Sequence, residues 1–330
     1  MDKIFKEIKE VVFEHSKKRL SFIGIKKNEQ LKNNFDLLDN EIYDSLNYMN
    51  IALALENKNI NLDLSLNQNR FPQSLNDFYK IARKDFETSN TYQVDSINLK
   101  SIFKSLKIKK NDNILVHSSF IKLINYQINE ILFFKELRKL VGKKGTIFVL
   151  GINFKQYLLN KFSLKRTSPH NEFGILSKFF FNNKKSVRSG NPFDSLIGIG
   201  KYSNICKKNN YCAYDDKSPW ADLGRIKTKI VLADVDFFYC SYLHRIEYET
   251  KVHYRIIKSF KKKYGNYALY KRKKKKLYLH YNKILHDNKI KKQIKSFCYK
   301  DICFYSISCN KLNKYVSKLI LKNKNYFLKK

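Results

Sequence analysis

The stretch Ile114-Leu115-Val116-His117-Ser118-Ser119 decides how this chain is read. Three aliphatic residues in a row, closed by polar ones, make a short run that is apolar on both faces. That is the pattern of a strand buried between two layers, not of a half-solvated one. Similar runs recur at 147–150, 196–199 and 230–235, and helical periodicity fills 129–141 and 173–182. Short buried strands alternating with helices predict an α/β layered domain. In open sheets of this kind ligands collect beyond the strand ends, which draws attention to His117-Ser118-Ser119.

The pattern covers only part of the chain. Of 330 residues, 66 are Lys or Arg and 29 are Asp or Glu, a formal net charge of +37. Residues 1–90 carry 14 basic and 14 acidic side chains, so the whole excess lies in residues 91–330. This asymmetry places a boundary near residue 90, with a polar linker over 89–96 joining a domain over 1–88 to one over 97–330. With 43% hydrophobic and 15% aromatic residues and only 10 Gly and 4 Pro, the chain is neither disordered nor collagenous nor disulfide-dense. Six Cys without a CxxC pair or zinc-finger spacing, and no N-terminal secretory segment, predict reduced thiols and a cytoplasmic protein. No apolar run reaches the roughly 18–20 residues that span a bilayer. The charge raises nucleic acid or an anionic membrane as partners. Lys and Asn abound everywhere, however, as AT-rich coding would make them, and nucleic acid is not the expected partner.

In the first domain Ile4, Phe5, Ile8, Val11 and Val12 recur at helical spacing and predict a helix over 3–17. Asp44 caps a second helix reaching 56, and Leu75, Phe78 and Ile81 predict a third from 74. Three helices of this length make a small all-α bundle. Leu37-Leu38-Asp39, Ile42-Tyr43-Asp44-Ser45-Leu46, Leu53-Ala54-Leu55-Glu56 and Ile60-Asn61-Leu62 resemble an acyl carrier protein, over residues 3–84. The resemblance implies that Ser45 carries covalent 4′-phosphopantetheine, installed by a phosphopantetheinyl transferase and charged by an acyl-loading enzyme. Ile42 stands where that family often has Gly. A phosphodiester on Ser45 would sit at the first turn of a helix, where unpaired N–H groups and the dipole favour negative charge. An ordinary helix cap is the plain alternative for Asp44-Ser45. Against it stand seven acidic and only three basic residues over 29–70.

In the second domain seven motifs follow one another in order. They are Leu115-Val116-His117-Ser118-Ser119, Gly145-Thr146-Ile147, Gly174-Ile175-Leu176, Arg188-Ser189 with Pro192 and Ser195, Gly198-Ile199-Gly200, Ser218-Pro219-Trp220, and Leu243-His244 with Glu247. Together they resemble the aminoglycoside 3-N-acetyltransferase family over residues 97–257. The resemblance implies an α/β acyltransferase that moves an acetyl group from coenzyme A to an amine. It places His117, Ser118, Ser119, Arg188 and Ser189 around the thioester donor, with Arg188 on a donor phosphate. Asn191-Pro192 replaces the family's His-Pro and Ser241 its Thr, and beyond about residue 258 the likeness fades into Lys-rich sequence.

The chemistry can be stated without the family. An ammonium group is no nucleophile, so the amine must lose a proton before or as it attacks a thioester, and histidine titrates in the right range. His244 is the candidate base. Glu247, three residues on, shares its helical face and would orient the imidazole. An exposed helical ion pair is the bland alternative for this His-x-x-Glu. The run Lys271 to Lys276, with Tyr264, Tyr267 and Tyr270 beside it, fits base stacking, an acidic carrier, or mere solvated charge. The expected whole is a small all-α acyl-carrier-like helical bundle followed by an α/β layered acyltransferase domain. It uses acetyl-CoA or another acyl-CoA, or a phosphopantetheine thioester, and acylates an amino sugar or nucleotide amino sugar. The alternatives are an aminoglycoside N3-acetyltransferase working on free acetyl-CoA, as in antibiotic resistance, and a basic nucleic-acid-binding protein with a decayed site. A homo-oligomer is open, and no metal is expected.

Overall fold

The computed structural model describes residues 3–22, 25–33, 51, 54–55, 58, 60–62, 74–84, 98–274 and 277–328. The chain divides into two compact units, Met1–Asp95 and Ser96–Lys330.

In the first unit helix α1 (Lys3–Phe22) runs five residues past the expected end, because Ile8, Val12, Ser16 and Leu20 form one buried stripe at four-residue spacing. Helix α2 (Leu75–Ile81) starts after Ser74. The Ser74 Oγ accepts from the Asp77 N–H at 3.3 Å and Asp77 Oδ2 accepts from the Ser74 N–H at 3.0 Å, a reciprocal capping box. The all-α expectation needs correction, since strand β1 (Ile60–Leu62) pairs antiparallel with β2 (Ala82–Lys84). Three-residue strands are too short to carry a periodicity of their own. Ser45 and most of the expected helix over 44–56 lie outside the described residues.

The second unit is built on a mixed seven-stranded sheet. Its strands are β3 (Asn113–Ser118), β4 (Thr146–Leu150), β5 (Val187–Arg188), β6 (Leu196–Gly200) and β7 (Lys229–Ala233). A separate antiparallel ribbon of β8 (Arg255–Lys262) and β9 (Gly265–Arg272) intervenes before β10 (Lys295–Tyr299) and β11 (Ile302–Ser308) complete the sheet. Strand order is β10-β11-β7-β3-β4-β6-β5, with β3 parallel to both β4 and β7 and every other pair antiparallel. The helices are α3 (Leu99–Ser105), α4 (Glu130–Val141), α5 (Phe154–Leu158), α6 (Gly174–Asn182), α7 (Pro219–Arg225), α8 (Tyr242–Glu249), α9 (Asn288–Lys291) and α10 (Cys309–Lys322). Five of the six residues of β3 are buried, as its all-apolar run requires. The core joins Leu115, Phe148, Trp220 and Leu232 to Leu243, Ile246 and the buried face of α10.

The expected strand over 230–235 stops at Ala233 because Asp234 takes a left-handed φ of +53°. Gly200 is required at its position: φ is +134°, and a Cβ there would lie 2.2 Å from the Gly145 carbonyl oxygen.

The Lys-rich sequence past residue 258 forms most of the ribbon, two sheet strands and α10. Two further expectations change. Tyr267 and Tyr270 are buried, so two of the three ribbon tyrosines are core residues and unavailable to stack on bases. Cys298 and Cys303 face one another across the β10–β11 pair and form a disulfide, while Cys206, Cys212, Cys240 and Cys309 are buried free thiols. Among the described residues no helix is long and apolar enough to cross a membrane.

Candidate active site

The chain leaves β7 through a 3₁₀ turn, Phe237–Tyr239, anchored by buried Phe237 and Cys240, and enters α8. His244 and Glu247 lie on one face of that helix, with His244 Nδ1 3.2 Å from Glu247 Oε2. The glutamate is fully buried, whereas the histidine side chain keeps 26% of its surface exposed, so the imidazole is the member of the pair open to a ligand.

A buried carboxylate needs compensation, and three groups missed in the sequence supply it. Tyr254 and Tyr281 donate their hydroxyls to Glu247 Oε1 at 2.9 and 2.8 Å, and Arg255 Nε lies 2.5 Å from Oε2. Burial alone would raise the Glu247 pKa, but the Arg255 guanidinium and the donated hydrogen bonds outweigh it and hold the carboxyl below its ordinary value. Arg255 Nη2 also donates to the Tyr281 hydroxyl at 2.6 Å and reaches His244 Nδ1 at 2.9 Å. Burial first, and Arg255 second, lower the pKa of His244, so the imidazole is neutral at neutral pH.

The two neighbours of His244 Nδ1 make opposite demands. A guanidinium only donates and a carboxylate only accepts. When Nδ1 carries the proton and gives it to Glu247, Nε2 presents a lone pair and can act as a base. When Nδ1 accepts from Arg255, Nε2 carries the proton and cannot. Base chemistry therefore requires the Glu247 contact to prevail, with Arg255 retained by Glu247 and Tyr281.

His117 is the penultimate residue of strand β3. It is buried, and neither ring nitrogen has a hydrogen-bond partner among the described residues. Burial, then the positive charge of nearby His244, push its pKa down to about 3. Its unfolded value is about 6.5, so from there down to about 3 the unfolded chain binds a proton that the folded one refuses. This stability is complete above pH 6.5 and lost as the pH falls through that window, at about 1.4 kcal/mol per pH unit. Urea unfolding at pH 7 and pH 5 should show His117→Gln losing about 2 kcal/mol less than wild type over this interval. Equal losses would mean that His117 is not held neutral.

Ser118 lies beside His117, and the Ser119 N–H donates to the Ala233 carbonyl at 3.0 Å, tying the ends of β3 and β7 together. His117, Ser118 and Ser119 therefore share an edge with His244. Arg188 and Ser189 are used differently. Ser189 Oγ accepts from the Leu196 N–H at 2.9 Å. The buried Arg188 guanidinium donates to the carbonyls of Gly151, Thr167 and Leu164 and stacks on Phe162 and Phe181. A donor phosphate on Arg188 would have to compete with these main-chain oxygens. Asp194, on the loop before β6, accepts from the Tyr214 hydroxyl at 2.8 Å while its carbonyl accepts from Trp220 Nε1 at 2.7 Å, which fixes Trp220 in the core. Among the described residues no His, Cys, Asp and Glu group could hold a metal ion.

A mixed sheet with parallel central strands and, on the helix that follows one of them, a partly exposed imidazole backed by a buried carboxylate has the makings of a group-transfer enzyme. The comparisons define it further. The sequence profile of the aminoglycoside 3-N-acetyltransferase family matches residues 115–313, so the chain belongs to that family and is an N-acetyltransferase. The match runs well past residue 258, where the motifs had ceased to be legible. Among solved structures, one neighbour is a histidine-to-alanine mutant of the aminoglycoside acetyltransferase AAC(3)-IVa in complex with gentamicin. Its TM-score is 0.59 at 17% identity, covering 74% of this chain and 94% of that one. Another is AAC-IIIb in a binary complex with CoASH, with a TM-score of 0.56 at 16% identity, covering 68% and 95%. A third is the YokD protein from Bacillus subtilis, at 0.56 and 16% identity, covering 68% and 98%. These likenesses establish a shared fold. No curated protein matches the chain.

Proposed function

We propose that the chain transfers an acyl group from a phosphopantetheine-type thioester, acetyl-CoA in the simplest case, to the amine of an amino sugar. The observation that carries this reading is the pairing of a partly exposed, neutral His244 with the fully buried Glu247. His244 Nε2 takes a proton from the amine as its nitrogen bonds to the thioester carbonyl carbon. The tetrahedral centre then collapses, the C–S bond breaks, and the imidazolium returns the proton to the departing thiolate, giving an amide and a free thiol. Glu247 holds Nδ1–H and offsets the charge on the imidazolium. His117, Ser118 and Ser119 line the donor side of the same edge. The CoASH-bound neighbour supports the donor, and the gentamicin-bound neighbour an aminated sugar as acceptor. Incubation with acetyl-CoA and a panel of amino sugars should yield an N-acetylated product by mass spectrometry, and failure across the panel would overturn the reading.

The Asp44-Ser45-Leu46 motif supports a donor held on the chain's own Ser45. Tethering would raise the donor's effective concentration to about the millimolar range. Co-expression with a phosphopantetheinyl transferase should add the arm's mass to the wild type and not to Ser45→Ala. An unmodified wild type under those conditions would leave free acetyl-CoA as the donor and the first unit without a carrier role.

A further inference from the structure

Four of the cysteines, Cys206, Cys212, Cys240 and Cys309, are buried free thiols, and burial raises the pKa of each. A thiol kept neutral inside the core is inert. Cys298 and Cys303 differ in place and in state. They are joined in a disulfide across β10 and β11, with Cys298 exposed and Cys303 half-buried. Exposed disulfides are the labile ones, because exchange begins when a thiolate reaches one of the two sulfurs.

Strand β10 depends on this link more than a central strand would. It is the outermost strand of the sheet, paired on one side only, and none of its residues is buried. The turn that joins it to β11 is Lys300-Asp301, and Lys300 takes a left-handed φ of +49°, which a residue with a Cβ adopts reluctantly. A crosslink that flanks such a turn removes open conformations from its ensemble.

The same turn anchors both segments that leave the sheet toward the candidate site. Asp301 Oδ1 accepts from the Tyr126 hydroxyl at 2.7 Å, the Asp301 carbonyl accepts from Lys122 Nζ at 2.9 Å, and Asp301 Oδ2 lies 3.6 Å from that ammonium. Tyr299 meets Tyr126 edge-on, with ring centroids 6.0 Å apart. Lys122 and the 3₁₀ turn Leu123–Tyr126 belong to the chain that follows β3 and Ser118-Ser119. On the other side the Cys303 carbonyl accepts from the Asp234 N–H at 2.9 Å, one residue past β7 on the way to His244.

We propose that Cys298–Cys303 is a site of reversible thiol–disulfide exchange that controls the order of the segment after β3 and, through it, the rate of acyl transfer. A thiolate of a dithiol reductant attacks the exposed Cys298 Sγ, the bond to Cys303 breaks, and Cys303 leaves as a thiolate that takes up a proton. The reductant's second thiolate then displaces Cys298, which is protonated in turn. Two electrons and two protons pass to the protein, and the dithiol is left as a cyclic disulfide. The turn is then held by the β10–β11 ladder alone, and residues 119–126 lose a fixed anchor at Asp301. The effect on rate rests on the acyl-transfer reading; the thiol exchange does not.

The full chain, purified without reductant, should take up four iodoacetamide labels when denatured, one for each free thiol. After dithiothreitol has acted on the folded protein it should take up all six, with the two new labels on Cys298 and Cys303. Six labels without dithiothreitol, or four after it, overturn the proposal. Hydrogen exchange over 295–302 and 119–126 should be about tenfold faster in the reduced protein and in Cys298→Ser/Cys303→Ser. Asp301→Ala should speed exchange over 119–126 with the disulfide still closed. Unchanged hydrogen exchange over 119–126 on reduction overturns the proposal. Acyl transfer, followed by mass spectrometry, should slow severalfold on reduction and recover when the wild type is reoxidised, while the double serine variant stays slow throughout. Equal rates in the two redox states overturn the proposal. The expected labelling and hydrogen exchange with no acyl transfer in either state would sink the transfer reading and leave the exchange site standing.

Discussion

His244→Ala should lower the rate of acyl transfer by about 10²–10⁴-fold and leave the fold intact. The rate loss follows from chemistry: His117, the other imidazole on this edge among the described residues, is buried and not open to a ligand. The intact fold follows from electrostatics. Removing the ring takes away one hydrogen bond to Glu247, whose carboxylate keeps Tyr254, Tyr281 and Arg255, so no buried charge is stranded. The wild-type pH profile provides a second reading. Because the His244 pKa is lowered, the base form prevails above it, and kcat/KM should fall with acid only below pH 6.5, the ordinary value of the side chain. The variant should lose that limb together with the rate. Near wild-type turnover in His244→Ala, measured on protein whose circular dichroism matches the parent, would show that another group takes the proton.

The parts of this site legible in sequence were those with a local signature. A strand apolar on both faces announced β3 and, with it, the position of His117. Three-residue spacing announced the His244–Glu247 pair. What surrounds Glu247 has no such signature. Arg255 opens a ribbon strand and Tyr281 lies in a 3₁₀ turn 34 residues beyond the glutamate, so only the folded chain brings them to one carboxylate. The surroundings of Arg188 were illegible for a different reason. The family resemblance places it on a phosphate, yet sequence does not tell whether a guanidinium faces a ligand or three main-chain carbonyls. Beyond residue 258 the ribbon defeats periodicity outright. Lys is scattered through both strands and their turn, and β8 exposes the consecutive Ile256 and Ile257, which point to opposite faces, so alternation of polar and apolar is lost. Strand β11, whose residues alternate between buried and half-buried over most of its length, was readable in principle but sat in a stretch dominated by charge.

The buried carboxylate makes Glu247→Gln the more damaging change for stability. Glutamine keeps the size and one acceptor oxygen but not the charge. Arg255, whose side chain is 5% exposed, would be left as an uncompensated buried cation beside two tyrosine hydroxyls competing for a weaker acceptor. Breaking a buried pair from one side costs about 3–5 kcal/mol, so the variant's unfolding midpoint should fall sharply at pH 7. The glutamate's own contribution has a definite sign. Its folded pKa is below the ordinary value of 4.5, so the stabilisation is complete above pH 4.5 and is lost as acid carries the pH through the lower folded value. The difference between wild type and Glu247→Gln should therefore shrink at low pH. Adding Arg255→Gln closes a double-mutant cycle. Removing the stranded cation should restore about 1–3 kcal/mol, because the two residues are in contact and their effects cannot add. Activity should not return with it, since the glutamine carbonyl cannot offset an imidazolium as a carboxylate does. Additive losses in the cycle would mean that Arg255 and Glu247 do not share their charge. Recovery of full activity in the double variant would mean that Glu247 serves the fold alone.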